Sequence, residues 1–335
     1  MAERSFRKAI QVGVAYLIAA AGLAWVFHDA DWTTLARSIV HLNWWWVTLG
    51  VFSDILSYAS QGYRWHLLLK PLGEIGTLRA TQAVYSGLFV NEILPMRIGE
   101  IARAYLVSLW MKKDIVAVIP SMALERLFEG IWLAAGMGVI AIFVPLPRNL
   151  LRAGDIFGLA VLVVTGAVLY LTLRKKREGA AEKAKKTFRW KPLQRLLSVP
   201  GRLEGGLRTI GISRYSVTAF FVSLLLYVFQ ALAFWFIMKA YGLHLSIWVG
   251  AAVFLIVHFG TALPNTPANI GTYQLFCVLG LTLFRVEKTA AAGFSIVVFV
   301  LLTIPLWVIG FFALGQSGLT LSAIKDRLKN LRTQS

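Results

Sequence analysis

The chain has 335 residues, of which 58% are apolar and only 15% charged, with 12 Trp and 21 Phe. Soluble domains carry about 45 to 50% apolar residues, so the composition excludes an ordinary water-soluble protein and makes the bilayer the solvent. The net charge of +18 is explained by positive-inside bias rather than by nucleic-acid binding, and a single cysteine, Cys277, excludes an internal disulfide or a thiolate-rich metal site.

The first apolar run, residues 9–27, follows Arg4, Arg7 and Lys8. It is long enough to span, and its flank His28-Asp29-Ala30-Asp31 lacks a clear cleavage site, so it reads as a retained helix rather than a signal peptide. At about 20 apolar residues per crossing, further spans are predicted at residues 44–69, 115–144, 156–173, 215–240 and 289–315. Two shorter segments remain: 81–109, broken at Pro95, and 247–284, broken between Pro264 and Gly271.

Lysines and arginines orient the chain, since they collect on cytoplasmic loops. The N-terminus, the 70–79 loop, Lys112-Lys113, the stretch 174–214 with its thirteen Lys or Arg against three acids, and the tail after residue 316 all read as cytoplasmic. Trp44, Trp45 and Trp46 fall at the outer aromatic belt. Parts of the 174–214 stretch also suit the anionic inner leaflet.

With both termini inside, each broken segment must enter and leave from one side as a re-entrant hairpin. The run Pro95-Met96-Arg97-Ile98-Gly99 recurs 172 residues later as Pro267-Ala268-Asn269-Ile270-Gly271, and the same offset superimposes the second predicted span on the fifth and the third on the sixth. Each half then holds an odd number of spans, so the halves must be inverted. The expected fold is an all-α polytopic membrane protein, six full helices plus two re-entrant broken-helix hairpins in an inverted repeat, a known transporter architecture. Residues 1–173 form the first repeat, 174–214 a basic cytoplasmic loop, 215–316 the second repeat region and 317–335 a basic tail.

Charged groups at membrane depth need a partner or a wet cavity. The first hairpin holds Asn91, Glu92, Pro95, Arg97, Gly99, Glu100 and Arg103. Its restarting helix is expected to expose backbone N–H groups which, with Arg97, suit a phosphate or carboxylate; alternatively Glu100 and Arg103 pair with each other and close the hairpin. Glu125, Arg126 and Glu129 lie near mid-depth of the third span. The two glutamates share a face and must be protonated, or bridged by a cation such as Arg97 or Arg126, as a cavity lining or as a structural ion pair. Asp54, also near mid-depth, is a candidate partner for Arg126. The second hairpin offers Pro267, Asn269, Gly271 and Gln274, polar but uncharged, and His258 before it is read as a packed residue or a proton carrier.

The N-x-x-x-P-x-R-x-G-E-x-x-R run at residues 91–103, the E-R-L at Glu125 to Leu127 and the late P-x-x-I-G at Pro267 to Gly271 resemble the flippase-like family of lysylphosphatidylglycerol synthase transmembrane regions. In its bifunctional members the membrane part is linked to moving aminoacylated phospholipid between leaflets, and a separate soluble domain makes that lipid. The expectation here is the membrane part alone. Three departures from the family pattern stand out: Glu129 in place of an aspartate, Ala268 and Asn269 in place of glycines, and Gln274 in place of a glutamate.

The resemblance and the residues together imply a lipid translocase for an anionic phospholipid or polyprenyl phosphate in the cell membrane, without metal or other cofactor. No P-loop pattern is present, and no enzymatic activity is expected. A separately encoded lipid or glycosyl transferase is an expected partner, and nucleic acid is not. The alternatives are a secondary transporter of a small anion, distinguished by the absence of a lateral opening to lipid, and an accessory subunit of a membrane transferase.

Overall fold

The computed structural model describes residues 44–94, 98–173, 205–261 and 266–318, with individual residues of 13–43. Pro95, Arg97 and most of the 174–214 stretch lie outside the described residues.

Chain order gives α1 (Trp44–Leu69), α2 (Thr77–Ile93), α3 (Ile98–Trp110), α4 (Ile115–Phe143), α5 (Arg148–Leu173), α6 (Arg214–Ala240), α7 (Ile247–Thr261), a 3-10 turn (Pro267–Asn269), α8 (Thr272–Leu283) and α9 (Lys288–Gln316). Helices α4, α5, α6 and α9 are long and apolar enough to cross a membrane. Helix α1 has the length, 26 residues, but Asp54 and Arg64 interrupt its apolar character. The predicted fourth span begins earlier than residue 156, because the polar turns from Arg148 to Asp155 are already helical.

The order long, short, short, long occurs twice, in α1 to α4 and in α6 to α9, with α5 between them. Side-chain caps start the corresponding long helices. Asn43 accepts from Trp45 N and Ser213 from Ser216 N; Asp114 accepts from Val116 N and Glu287 from Thr289 N. Each removes an unpaired donor from a helix start.

Corresponding helices α1 and α6 pack along their length in opposite directions. Asn43 N donates to Ala240 O at one end, Gly50 meets Ala233 and Ile237 further on, and Arg64 reaches Ser223 near the other. A Cβ on Gly50 would stand 2.7 Å from Ile237 Cδ1, so the missing side chain sets how closely the helices approach, as small residues do between membrane helices.

Both broken segments fold back on themselves. In the first, Gly99 packs on Gly87 so closely that a Cβ at Gly99 would lie 1.8 Å from Gly87 O, and Arg103 lies beside Gly87. In the second, Gly260 faces Phe276 and Gly280 faces Val253. At about 1.5 Å per residue, arms of 12 to 17 residues fall short of the hydrocarbon thickness of about 30 Å.

Each hairpin then leans on the other half. Helix α2 lies on α9, where Gly310 admits Tyr85 and Phe89 and Gln82 Nε2 donates to Ala313 O at 3.0 Å. Helix α7 lies on α4, with Leu255 against Gly136. One core gathers Phe234, Phe254, Val278, Phe294 and Val298, and a second gathers Trp65, Leu68, Val84, Leu106 and Val118. The first apolar run joins this body through Gly22 against Leu275 and Ala19 against Gly271.

Candidate functional site: a charged ladder beside a polar chamber

Three arginines and three glutamates from α1, α3 and α4 alternate in one connected chain. Arg103 Nη2 contacts Glu125 Oε2 at 2.9 Å, and Arg64 Nη2 bridges Glu125 Oε1 at 2.9 Å and Glu129 Oε1 at 2.7 Å. Arg126 Nη1 holds Glu129 Oε2 at 2.6 Å, and its Nη2 holds Glu100. The Arg103 guanidinium also stacks over the Trp65 ring.

The ladder is graded from dry to wet. Arg64 and Glu125 are fully buried, whereas the Arg126 side chain is 45% exposed. Alternating charge is what allows burial, because each of the two deeper carboxylates, Glu125 and Glu129, meets two guanidinium groups. At the wet end Arg126 faces a polar cavity of about 240 Å³ lined by Tyr58, Gln61, Asn91, Glu92, Gln230 and Asn269. Both hairpins thus contribute to one chamber.

The geometry revises several sequence readings. Glu125 and Glu129 are bridged by a cation, but it is Arg64, which the sequence reading did not single out, and not Arg126, which holds Glu129 and Glu100. A signal for it exists: Asp54, Ser57, Gln61 and Arg64 recur at helical spacing, and a polar stripe within a span marks a face turned inward. Asp54 does not pair with Arg126; it lies in an adjoining cavity of about 160 Å³ with Tyr58, Glu92 and Tyr273. Glu100 and Arg103 do not close the hairpin by pairing with each other, since both reach across to α4.

The helix restarts also differ from expectation. Gly99 N–H, expected to face a ligand, donates to Asn91 Oδ1 at 2.7 Å, and Gly271 N–H donates to Gln274 Oε1 at 2.7 Å. A side-chain amide caps each break, so Asn91 and Gln274 have structural duties. Thr266 Oγ1 donates to Ile270 O, and Thr272 Oγ1 to Asn269 O, tightening the second break further.

At that break Ala268 and Asn269 both have φ of 55° and Gly271 has φ of 91°. The first two are the positions where the resembled family favours glycine, and the left-handed conformation gives the reason. Here two residues with a Cβ carry that conformation. Pro267 begins the turn.

His258 lines both the chamber and a neighbouring, more apolar cavity. Its Nε2 lies 3.4 Å from Tyr227 Oη, which also donates to Glu129 O at 3.2 Å. Glu92 accepts from Trp307 Nε1 at 3.1 Å. Cys277 is buried and unpaired by disulfide. No group of three His, Cys, Asp or Glu with metal-ligand potential occurs among the described residues.

A third cavity, about 520 Å³, adjoins the chamber and shares Arg126, Glu129, Tyr227, His258 and Thr261 with it. Its remaining wall is apolar, formed by Leu127, Leu133, Phe157, Val161, Val164 and Val168 of α4 and α5. A polar compartment therefore continues sideways into an apolar groove.

These features define a polytopic, all-helical membrane protein with two antiparallel halves around a polar chamber. Residues 11–310 match the family described as the lysylphosphatidylglycerol synthase TM region, and the chain belongs to that family. It is also similar to the UPF0104 membrane protein of Methanocaldococcus jannaschii, 24% identical over 275 residues that cover 78% of this chain and 82% of the relative.

Proposed function

We propose that the protein moves an anionic lipid, of phospholipid or polyprenyl-phosphate type, between the leaflets of the cell membrane, with both hairpins re-entrant and both termini cytoplasmic. The observation that carries this reading is the shared wall between the polar chamber and the apolar groove of α4 and α5. A water-soluble anion needs only the first compartment. A lipid needs both, a wet place for its head group and an apolar surface for its tails.

Arg126 is the residue assigned to the head group. Its guanidinium has two forks in use, one on Glu129 and one on the more exposed Glu100. A phosphate arriving from the chamber competes with Glu100 for the outer fork while Glu129 keeps the inner one, and the planar geometry fits two oxygens at once. The transport needs no covalent step by this chain, and its products or substrates are handled by a separate lipid-modifying or glycosyl transferase.

Reconstitution in liposomes tests the proposal. Labelled anionic lipids, polyprenyl phosphate included, should cross faster than in empty liposomes, and Arg126→Ala should slow them about 10- to 100-fold, the equivalent of charge-assisted hydrogen bonds worth about 1.5 to 3 kcal/mol. Uptake of a soluble anion with no lipid exchange across the panel would overturn the reading in favour of a small-anion transporter.

A further inference from the structure

The carboxylate of Asp54 takes no part in the ladder. The residue is 5% exposed, and among the described residues it has no hydrogen-bond or ion-pair partner. It nonetheless lines a cavity, with Tyr58, Glu92, Gln230, His258, Tyr273 and Thr303 around the same space. Among the described residues the other interior acids are matched: buried Glu125 and half-buried Glu129 by arginines, and the half-buried Glu92 by the Trp307 N–H.

We infer that Asp54, with Glu92 across the cavity, forms a site for a monovalent cation, a proton or an alkali ion, that is exchanged during transport. A buried carboxylate without a counter-charge is costly, and a bound cation removes the cost. The cavity offers oxygen ligands to complete such a site: Tyr58 on α1, Gln230 on α6, Tyr273 on α8 and Thr303 on α9. Among the described residues no lysine or arginine lines it.

The groups that bear on Asp54 can be named element by element. Tyr58 shares α1; Tyr85 and Glu92 come from α2, His258 from α7 and Tyr273 from α8, while Gln230 of α6 and Thr303 of α9 are uncharged. The cavity runs into the chamber, sharing Tyr58, Glu92, Gln230, His258 and Asn269 with it. An anionic head group at Arg126 and a cation at Asp54 would therefore occupy neighbouring compartments of opposite preference.

The site stands on this geometry alone, and its coupling to transport rests on the translocase reading. Two arms separate them. The first needs no lipid movement: the thermal midpoint of the purified protein is followed in an organic-cation buffer while either pH or sodium is varied, for wild type and Asp54→Asn. The wild type should shift with one of the two, pH for a proton or sodium for an alkali ion, and Asp54→Asn should lose that shift. Identical responses in both proteins would overturn the site. Glu92→Gln gives a second reading should Asp54→Asn fail to fold, with a weakened shift expected and an unchanged one counting against the site.

The second arm imposes a tenfold gradient of that cation on proteoliposomes. With one cation per lipid, the gradient should hold a lipid asymmetry of about tenfold, absent in Asp54→Asn even where it still equilibrates lipid. Lipid exchange in the wild type indifferent to both gradients would overturn the coupling. No exchange under any gradient would instead count against the translocase reading, with the first arm still deciding the site.

Discussion

The two halves of this molecule share a backbone plan and differ in what fills it. Counted from the first residues of the two helices, Ile115 and Lys288, Glu125, Arg126 and Glu129 of α4 occupy the places that Val298, Phe299 and Leu302 hold in the equally long α9. Val298 is fully buried in an apolar core, and the helix there is no less regular. The hairpin-and-long-helix arrangement thus does not require the charges. Buried ion pairs give little net stability relative to apolar packing, which agrees with the head-group role proposed for the wet end of the ladder.

That contrast can be broken most forcefully at Glu125. Replacing it with glutamine leaves Arg64 and Arg103 buried without their shared carboxylate, at a cost of about 3 to 5 kcal/mol, read as a large fall in thermal midpoint in detergent. If the ladder is dispensable to the fold, converting Arg64→Met, Arg103→Leu and Glu125→Val together should recover most of that stability while lipid exchange stays lost.

The hairpin turns should yield next. Gly99→Ala pushes a methyl group into Gly87 O and Asn91 Oδ1, and overpacking of this kind costs about 1 to 3 kcal/mol. Gly271→Ala should cost a similar amount, from a φ of 91° and a Cβ 2.5 Å from Ala19 O. Equal losses, measured by chemical or thermal unfolding, would show that the two breaks are built to one tolerance.

A smaller effect of opposite sign is expected at Ala268→Gly. Left-handed backbone costs a residue with a Cβ about 1 to 2 kcal/mol, part of which glycine returns as chain entropy, so the variant should be stabler by about 0.5 to 1 kcal/mol. Smallest is the cap at Glu287, whose exposed carboxyl is held below its usual 4.5 by hydrogen bonds from Thr289 and Ala290. A depressed carboxyl contributes above its unfolded value and loses that contribution as pH falls through the lower folded one. The slight acid sensitivity of the midpoint below about pH 4.5 should therefore shrink in Glu287→Ala.

Much of this plan was readable in the chain. Apolar length marked the long helices, and the Pro-x-x-Ile-Gly pair marked both breaks, because proline and glycine punctuate a helix wherever they occur. The partners across helices were not readable. Arg64 lies 61 residues from Glu125, and no local pattern says which of several arginines a carboxylate will meet. The capping of Gly99 by Asn91 was equally hidden, since it depends on how tightly Gly87 lets the arms approach. Sequence named the polar residues of the first hairpin as a group; among the described ones, Glu92 and Glu100 line a chamber and Asn91 also caps the turn.

The antiparallel seam of α1 and α6 has a further consequence. Two halves that point opposite ways give every arrangement of the molecule a counterpart, obtained by letting each half adopt the other's shape. On the proposed translocase reading, a single kind of rearrangement then serves both leaflets. Yet the counterparts are not twins, for counted from the helix starts the place of Arg126 is taken in α9 by Phe299, and on that reading a lipid would meet an ionic surface on one flank and an aromatic one on the other.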